Sequence, residues 1–152
     1  ARRSGRIVNV SSLLGEITVP GSGIYGGTKH AIEAMSDALR MELKQFGICV
    51  VVVQPSFVST EIDVTGHMAT NGDAIADYAT MERDLTAYLD AQIRDAVTAE
   101  TVAASVARAA ITPRPKTRYV TPQREALALS VLSALPTRLT DRMKMRLVRA
   151  AA

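Results

Sequence analysis

Apolar positions along the 152-residue chain change period several times, and each change predicts an element. Ile7-Val8-Asn9-Val10 is short, β-branched and ends in small polar residues, which predicts a strand. Residues 11–23 hold Gly15, Pro20, Gly21 and Gly23 and read as a loop. From about Tyr25 to Phe46 the spacing becomes helical. Ile32, Met35, Leu39, Leu43 and Phe46 recur at three and four and predict one apolar stripe, with Gly47 as the residue that ends the helix. Ile48-Cys49-Val50-Val51-Val52-Val53 then runs without alternation to Gln54-Pro55. Such a run suits a strand covered on both faces, as in a parallel sheet. Strand, helix and strand make a βαβ unit.

Residues 62–95 are polar and acidic, and predict a partly helical excursion from the sheet. Ala99 to Ile111 predicts a second packing helix, with Thr98 as N-cap and Pro113 just past the end. Arg118 to Thr121 offers a weaker third strand. From Ala126 the tail is again helical, interrupted at Pro136. In it Arg138, Arg142, Arg146 and Arg149 recur at four, four and three, and Leu135, Leu139, Met143 and Leu147 at four. That is an amphipathic basic helix, suited to packing on its own domain or to an anionic membrane surface. Three strands fall short of the five or six of a doubly wound sheet, and no glycine-rich phosphate turn follows the first.

Composition narrows the class. Apolar residues are 47% and charged residues 22%, as in an ordinary soluble domain. The net charge of +3 is uneven: +2 over residues 1–60, −7 over 61–100 and +8 over 101–152. The acidic and basic regions are expected to be solvated faces, or to contact each other. Cys49 is alone and lies in an apolar run, so a buried, inert thiol is expected. No apolar stretch is long enough to span a bilayer and no signal-peptide pattern is visible, so a cytoplasmic setting is expected, with membrane association through the tail as a further option. His30 and His67 lack metal-ligand partners at useful spacing, and Asp63, Asp73, Asp77, Asp84 and Asp90 lack a calcium-loop pattern. No metal is expected. Nucleic acid is not expected either, because no aromatic platform accompanies the basic tail.

The chemistry gathers at the carboxyl ends of the first two strands, where open α/β sheets bind ligands. Tyr25 and Lys29 stand four apart, one turn along the same helix face. A free Tyr hydroxyl is a poor base, with a reference pKa of about 10. An adjacent ammonium favours its charged form and suits it to proton exchange with an alcohol or carbonyl oxygen. Alone the pair is a weak signal. Ser12 precedes Tyr25 by thirteen residues at the end of the first strand, and Pro55-Ser56-Phe57-Val58-Ser59-Thr60 follows the second. Three segments converge on one rim.

These residues resemble a family. Arg6-Ile7-Val8-Asn9-Val10-Ser11-Ser12, Gly15, Pro20 and Tyr25-Gly26-Gly27-Thr28-Lys29 are similar to the signature of the short-chain dehydrogenases/reductases. Ala31, Ala38, Leu39 and Glu42 fit the helix that follows, and Pro55, Val58 and Thr60 resemble the family's Pro-Gly-x-Val-x-Thr segment, with Ser56 in place of Gly. The likeness is dense over residues 5–60 and weaker beyond Glu61. It implies an α/β, Rossmann-type doubly wound parallel sheet, represented by its C-terminal half. Over residues 1–152 it implies a catalytic and nicotinamide-side segment at 1–60, a substrate lobe at 61–98, and a last helix, strand and basic tail at 99–152. It also implies NAD or NADP as cofactor, a small alcohol or carbonyl substrate and a homo-oligomer. Tyr25 would be the general acid/base, and Lys29 would support it and bind the nicotinamide ribose. Ser12 would hold the substrate oxygen, with Ser11 structural. With Tyr25 and Lys29, Pro55, Ser56, Val58 and Thr60 would contact the cofactor. The family's glycine-rich loop, Asn-Asn-Ala-Gly segment and catalytic Asn belong to the half upstream of these residues.

Leu13, Leu14, Ile17 and Val19 follow Ser12 and are apolar. In the family this loop borders the substrate, which implies a lipophilic one. The tail's faint likeness to retinol- and hydroxysteroid-type members points the same way. Two other readings stand beside the enzyme: a non-catalytic interaction module whose sheet edge seeks a partner, and a peripheral membrane protein acting through its tail.

Overall fold

The computed structural model describes residues 4–60 and 75–151. Asp63, His67 and Asp73 lie outside the described residues. The elements run β1 (Gly5–Val10), α1 (Gly23–Leu43), β2 (Ile48–Pro55), β3 (Val58–Ser59), α2 (Ala79–Arg94), β4 (Val97–Thr98), α3 (Ala99–Ile111), β5 (Arg118–Thr121), α4 (Glu125–Ala134) and α5 (Thr137–Ala150). Short 3₁₀ turns lie at Leu13–Gly15, Lys44–Phe46 and Ala76–Tyr78.

The main sheet is parallel, in the order β1-β2-β5. Gly5 to Val10 align with Ile48 to Val53, and Val52 to Pro55 with Arg118 to Thr121. The weak third strand is therefore real. A second parallel pair, β3 and β4, matches Val58 with Val97 and Ser59 with Thr98. Two-residue strands have no period to read, so this pair was not foreseen. Gly47 sits at φ +69°, the left-handed conformation expected of the residue that ends the α1 segment. Thr98 caps α3 as expected, its hydroxyl accepting from the Thr101 N–H at 3.4 Å.

Strand alternation sorts the sheet into two unlike faces. Val51 and Val53 point to one side and pack with Ala109 of α3, joined by Val8, Val106 and Tyr119. Gln54, Asn9 and Arg118 point to the other and bond to α1. Helices therefore cover both faces, which makes the sheet doubly wound. The α3 face is apolar, and the α1 face sets the polar groups of Asn9, Gln54 and Arg118 beside buried Val50 and Val52.

That asymmetry corrects two expectations. The apolar stripe of α1 is only partly covered: Ile32, Leu39 and Leu43 are partly buried and Met35 and Phe46 exposed, while the fully buried positions are Gly26, Glu33 and Ser36. Glu33 and Ser36 of α1 turn inward because Asn9, Gln54 and Arg118 of the strands meet them there. Cys49 is exposed, not buried. It is the second residue of β2, and full cover of that strand begins only at Val50.

The acidic and basic regions do meet, through an apolar contact. Leu85 and Tyr88 of α2 pack against Val148 of α5, flanked by Leu89 and Ala151. No arginine of α5 lies within 4.0 Å of a carboxylate of α2 among the described residues. Burial pushes the Tyr88 phenol up, and Glu125 adds to that shift. Gly21 ties the loop before α1 to this second core. Its φ is +77°, and a Cβ there would strike Leu85 Cδ2.

Candidate active site

The carboxyl edge of β1 and β2 is built by short polar links. Past Val10 the chain leaves β1, and the Ser11 N–H donates to Val53 O at 2.8 Å, which extends the ladder by one bond. The Ser11 hydroxyl is buried and turned to Lys29 O at 3.5 Å, so Ser11 is structural. Ser12 caps the turn Leu13–Gly15, its Oγ accepting from the Leu14 N–H at 3.2 Å. The same oxygen donates toward Pro55 O at 3.4 Å, across to the end of β2. Ser12 is thereby fixed between two strand ends and is 7% exposed.

Tyr25 lies in the first turn of α1, half of its surface in solvent. Lys29, one turn on, donates from Nζ to Val10 O at 3.3 Å, and Nζ lies 5.6 Å from the centre of the Tyr25 ring. That is within the range of a cation–π contact. The Lys29 ammonium is therefore held at the end of β1, beside Tyr25. His30 turns back to Gly26 O at 2.9 Å and joins no constellation.

Pro55 is buried, and the Ser56 N–H donates to Thr121 O at 2.8 Å, continuing the β2–β5 ladder past Pro55. Ser56 stands where the resemblance calls for Gly, yet no non-glycine residue described has a positive φ. The turn here does not need glycine's freedom. Val58 is half-buried in β3, Thr60 is exposed, and the neighbouring Phe57 O accepts from the Val97 N–H at 3.0 Å. Hydrogen bonds thus bring Ser12, Lys29 and Pro55 to one edge, with Tyr25 beside Lys29. Val58 lies in β3, which leaves that edge, and Thr60 directly follows it.

Beneath the edge is a polar cluster that the sequence did not reveal. Gln54, fully buried, donates from Nε2 to Glu16 Oε1 at 2.7 Å and to Glu33 Oε1 at 3.0 Å. Arg118 reaches across from β5. Its Nε lies 3.1 Å from both Glu16 Oε1 and Glu33 Oε2, and one terminal nitrogen forks onto Asp37 at 2.9 and 3.0 Å. Burial works against the Asp37 carboxylate, but hydrogen bonds and positive charge from Arg40 and Arg118 outweigh it and hold its pKa below 3.8. Burial likewise opposes the Arg118 charge, and Asp37 and Glu33 more than restore it. Gly15 fits into this cluster: a Cβ there would lie 2.6 Å from Ser11 Oγ and 2.9 Å from Glu33 Cγ. The cluster fixes the loop carrying Ser12, the helix carrying Tyr25 and Lys29, and the end of β2 relative to one another. Its sequence signal was the helical spacing of polar Glu33, Ser36 and Asp37 on one side of α1.

Comparison with known proteins agrees with this layout. The short chain dehydrogenase family matches residues 1–69. An NADPH-dependent 3-dehydrocapnine reductase of Ornithobacterium rhinotracheale is 31% identical over 143 residues, 94% of this chain and 50% of that protein. Mouse retinol dehydrogenase 16 is 37% identical over 78 residues, 51% of this chain and 24% of that protein. Among solved structures, a short-chain dehydrogenase from Streptomyces avermitilis superposes with a TM-score of 0.65 at 25% identity, covering 95% of this chain and 52% of that one. The chain thus spans half the length of the reductase it matches, and the match runs through the strand, loop and helix that hold Ser12, Tyr25 and Lys29. The chain belongs to the short-chain dehydrogenase/reductase family.

Proposed function

We propose that this chain carries the proton-handling and nicotinamide-side part of an NAD(P)-dependent oxidoreductase acting on an alcohol or carbonyl. The observation that supports it most is Lys29, bound through Nζ to Val10 O and set 5.6 Å from the centre of the Tyr25 ring at the sheet's carboxyl edge. In the reducing direction the Tyr25 O–H donates its proton to the substrate oxygen. The Lys29 ammonium stabilises the negative charge left on the Tyr25 oxygen. To hold the same substrate oxygen, the Ser12 hydroxyl would turn its single O–H from Pro55 O to the substrate. Oxidation runs these transfers in reverse, with Tyr25 taking the proton.

The residues at the edge fit a nicotinamide cofactor. An ammonium has three N–H donors, and Val10 O uses one, so Lys29 retains donors for ribose hydroxyls. Pro55, Ser56, Val58 and Thr60 would line the nicotinamide side. When bound, the cofactor supplies or accepts the hydride. The NADPH dependence in the reductase relative's name supports a dinucleotide of this class. Leu13, Leu14, Ile17 and Val19 beside Ser12 are only half-buried. They would offer apolar surface to a lipophilic substrate, and the name of retinol dehydrogenase 16 supports that class. Residues 61–98 would form the substrate lobe, and the working form would be a homo-oligomer.

The test is consumption of NADPH or NADH by the full-length protein, offered retinal, decanal and 2-undecanone. Turnover of any of these supports the reading. No turnover with either cofactor on all three counts against it.

A further inference from the structure

Helix α5 has three different surfaces around its axis. Thr140 and Val148 are buried, and Val148 packs against Leu85 and Tyr88 of α2. At 3.6 residues per turn, the next strip around the helix is Leu139, Met143 and Leu147. These three are 45%, 44% and 55% exposed. The strip beyond them carries Arg138, Arg142, Arg146 and Arg149, all exposed. The only acid on the helix is Asp141, 3.9 Å from Lys144. Among the described residues no carboxylate lies within 4.0 Å of the four arginines. The packing on α2 thus uses one face and leaves an apolar strip beside a basic one. Across the break at Pro136, α4 also leaves Leu127 and Val131 exposed.

We propose that α5 docks this protein on an anionic lipid bilayer, with Leu139, Met143 and Leu147 at the acyl boundary and the arginines among the phosphates. Charge complementarity selects this occupant. A bilayer surface offers apolar interior and anionic headgroups side by side, in a plane that a helix lying flat can meet. The same helix of a second copy would bring four more arginines and only Asp141 to oppose them. Among the described residues no helix is long and apolar enough to cross a membrane, so the contact is one of lying on the surface. This inference does not depend on the oxidoreductase reading, and vesicle binding is measured without turnover.

The experiment is cosedimentation of the full-length protein with vesicles of phosphatidylcholine alone, or mixed with phosphatidylglycerol. Partition onto the anionic vesicles is expected to exceed that onto neutral ones by at least about tenfold. It should fall as salt rises from about 0.1 to about 1 M, where the screening length shrinks from about 10 to about 3 Å. Replacing the four arginines together (R138Q, R142Q, R146Q, R149Q) should cost at least about tenfold in partition. L139S, M143S and L147S combined should do the same. The comparison of vesicles needs no variant, so it decides even if a variant folds poorly. Absent binding, or equal binding to both vesicles, would overturn the proposal. So would binding that survives both sets of replacements. Self-association that is lost in the L139S, M143S, L147S protein, without vesicle binding, would assign the face to a second copy and also overturn it.

Discussion

At the scale of single residues, the site depends on side chains whose neighbours fix them. Ser12 is held by Leu14 and Pro55, and Lys29 by Val10. Gly21 does comparable work for the backbone, since its φ of +77° and its approach to Leu85 both exclude a side chain. Gly21→Ala is therefore expected to destabilise the fold by more than about 1 kcal/mol, as left-handed strain and a clash add. Thermal melting checks this, and an unchanged melting temperature would contradict it. The placement of the candidate residues was legible in the sequence because their spacing is local: Tyr25 and Lys29 share a helix turn, and Ser12 lies two residues past the end of β1. Cys49 misled because an apolar run does not mark where its cover begins; β2 is enclosed only from Val50.

At the scale of elements, the interface between α1 and the sheet holds a buried polar cluster beside the apolar Val50 and Val52. Arg118 unites Glu16, Glu33 and Asp37 across it. Arg118→Met should leave the buried Glu33 carboxylate with only Gln54 and cost about 3 kcal/mol of stability. Urea unfolding at neutral pH measures this, and a loss of less than about 0.5 kcal/mol would count against a structural role for the cluster. The pH dependence has a definite sign. The folded-state pKa of Asp37 lies below its ordinary 3.8. Its contribution to stability is therefore complete above that value and is lost as pH falls through the lower, folded value. Stability of the unaltered protein should fall more steeply as pH drops below about 4 than that of Asp37→Asn. Equal slopes would contradict the assignment. This cluster was hidden in the sequence because Glu33 and Arg118 are 85 positions apart. Only the helical spacing of Glu33, Ser36 and Asp37 hinted that α1 turns polar groups inward. The order of the βαβ unit, by contrast, was legible, since strand, helix and strand each have their own pattern, while the depth to which α1 and the start of β2 are covered was not. The third strand was fainter because four residues, Arg118 to Thr121, barely establish one.

At the scale of the whole molecule, two faces of one sheet do different work. The apolar α3 face, built on Val51, Val53 and Ala109, supplies hydrophobic burial. The polar cluster on the α1 face aligns the loop of Ser12, the helix of Tyr25 and Lys29, and the end of β2. Farther out, α2 and α5 form a second apolar core and leave the basic strip of α5 outward. Family membership, the doubly wound sheet and the placement of Ser12 and Lys29 at its carboxyl edge support the central proposal that Tyr25 moves the proton accompanying hydride transfer. The most direct measurement is kcat/KM of the full-length protein and of its Tyr25→Phe variant on the same carbonyl substrate, with circular dichroism recorded on both. Positioned proton transfer is worth about 10² to 10⁴ in rate. A fall within or beyond that range, with an unchanged spectrum, is the predicted result. A variant that keeps kcat/KM within about threefold of the unaltered protein would contradict the account.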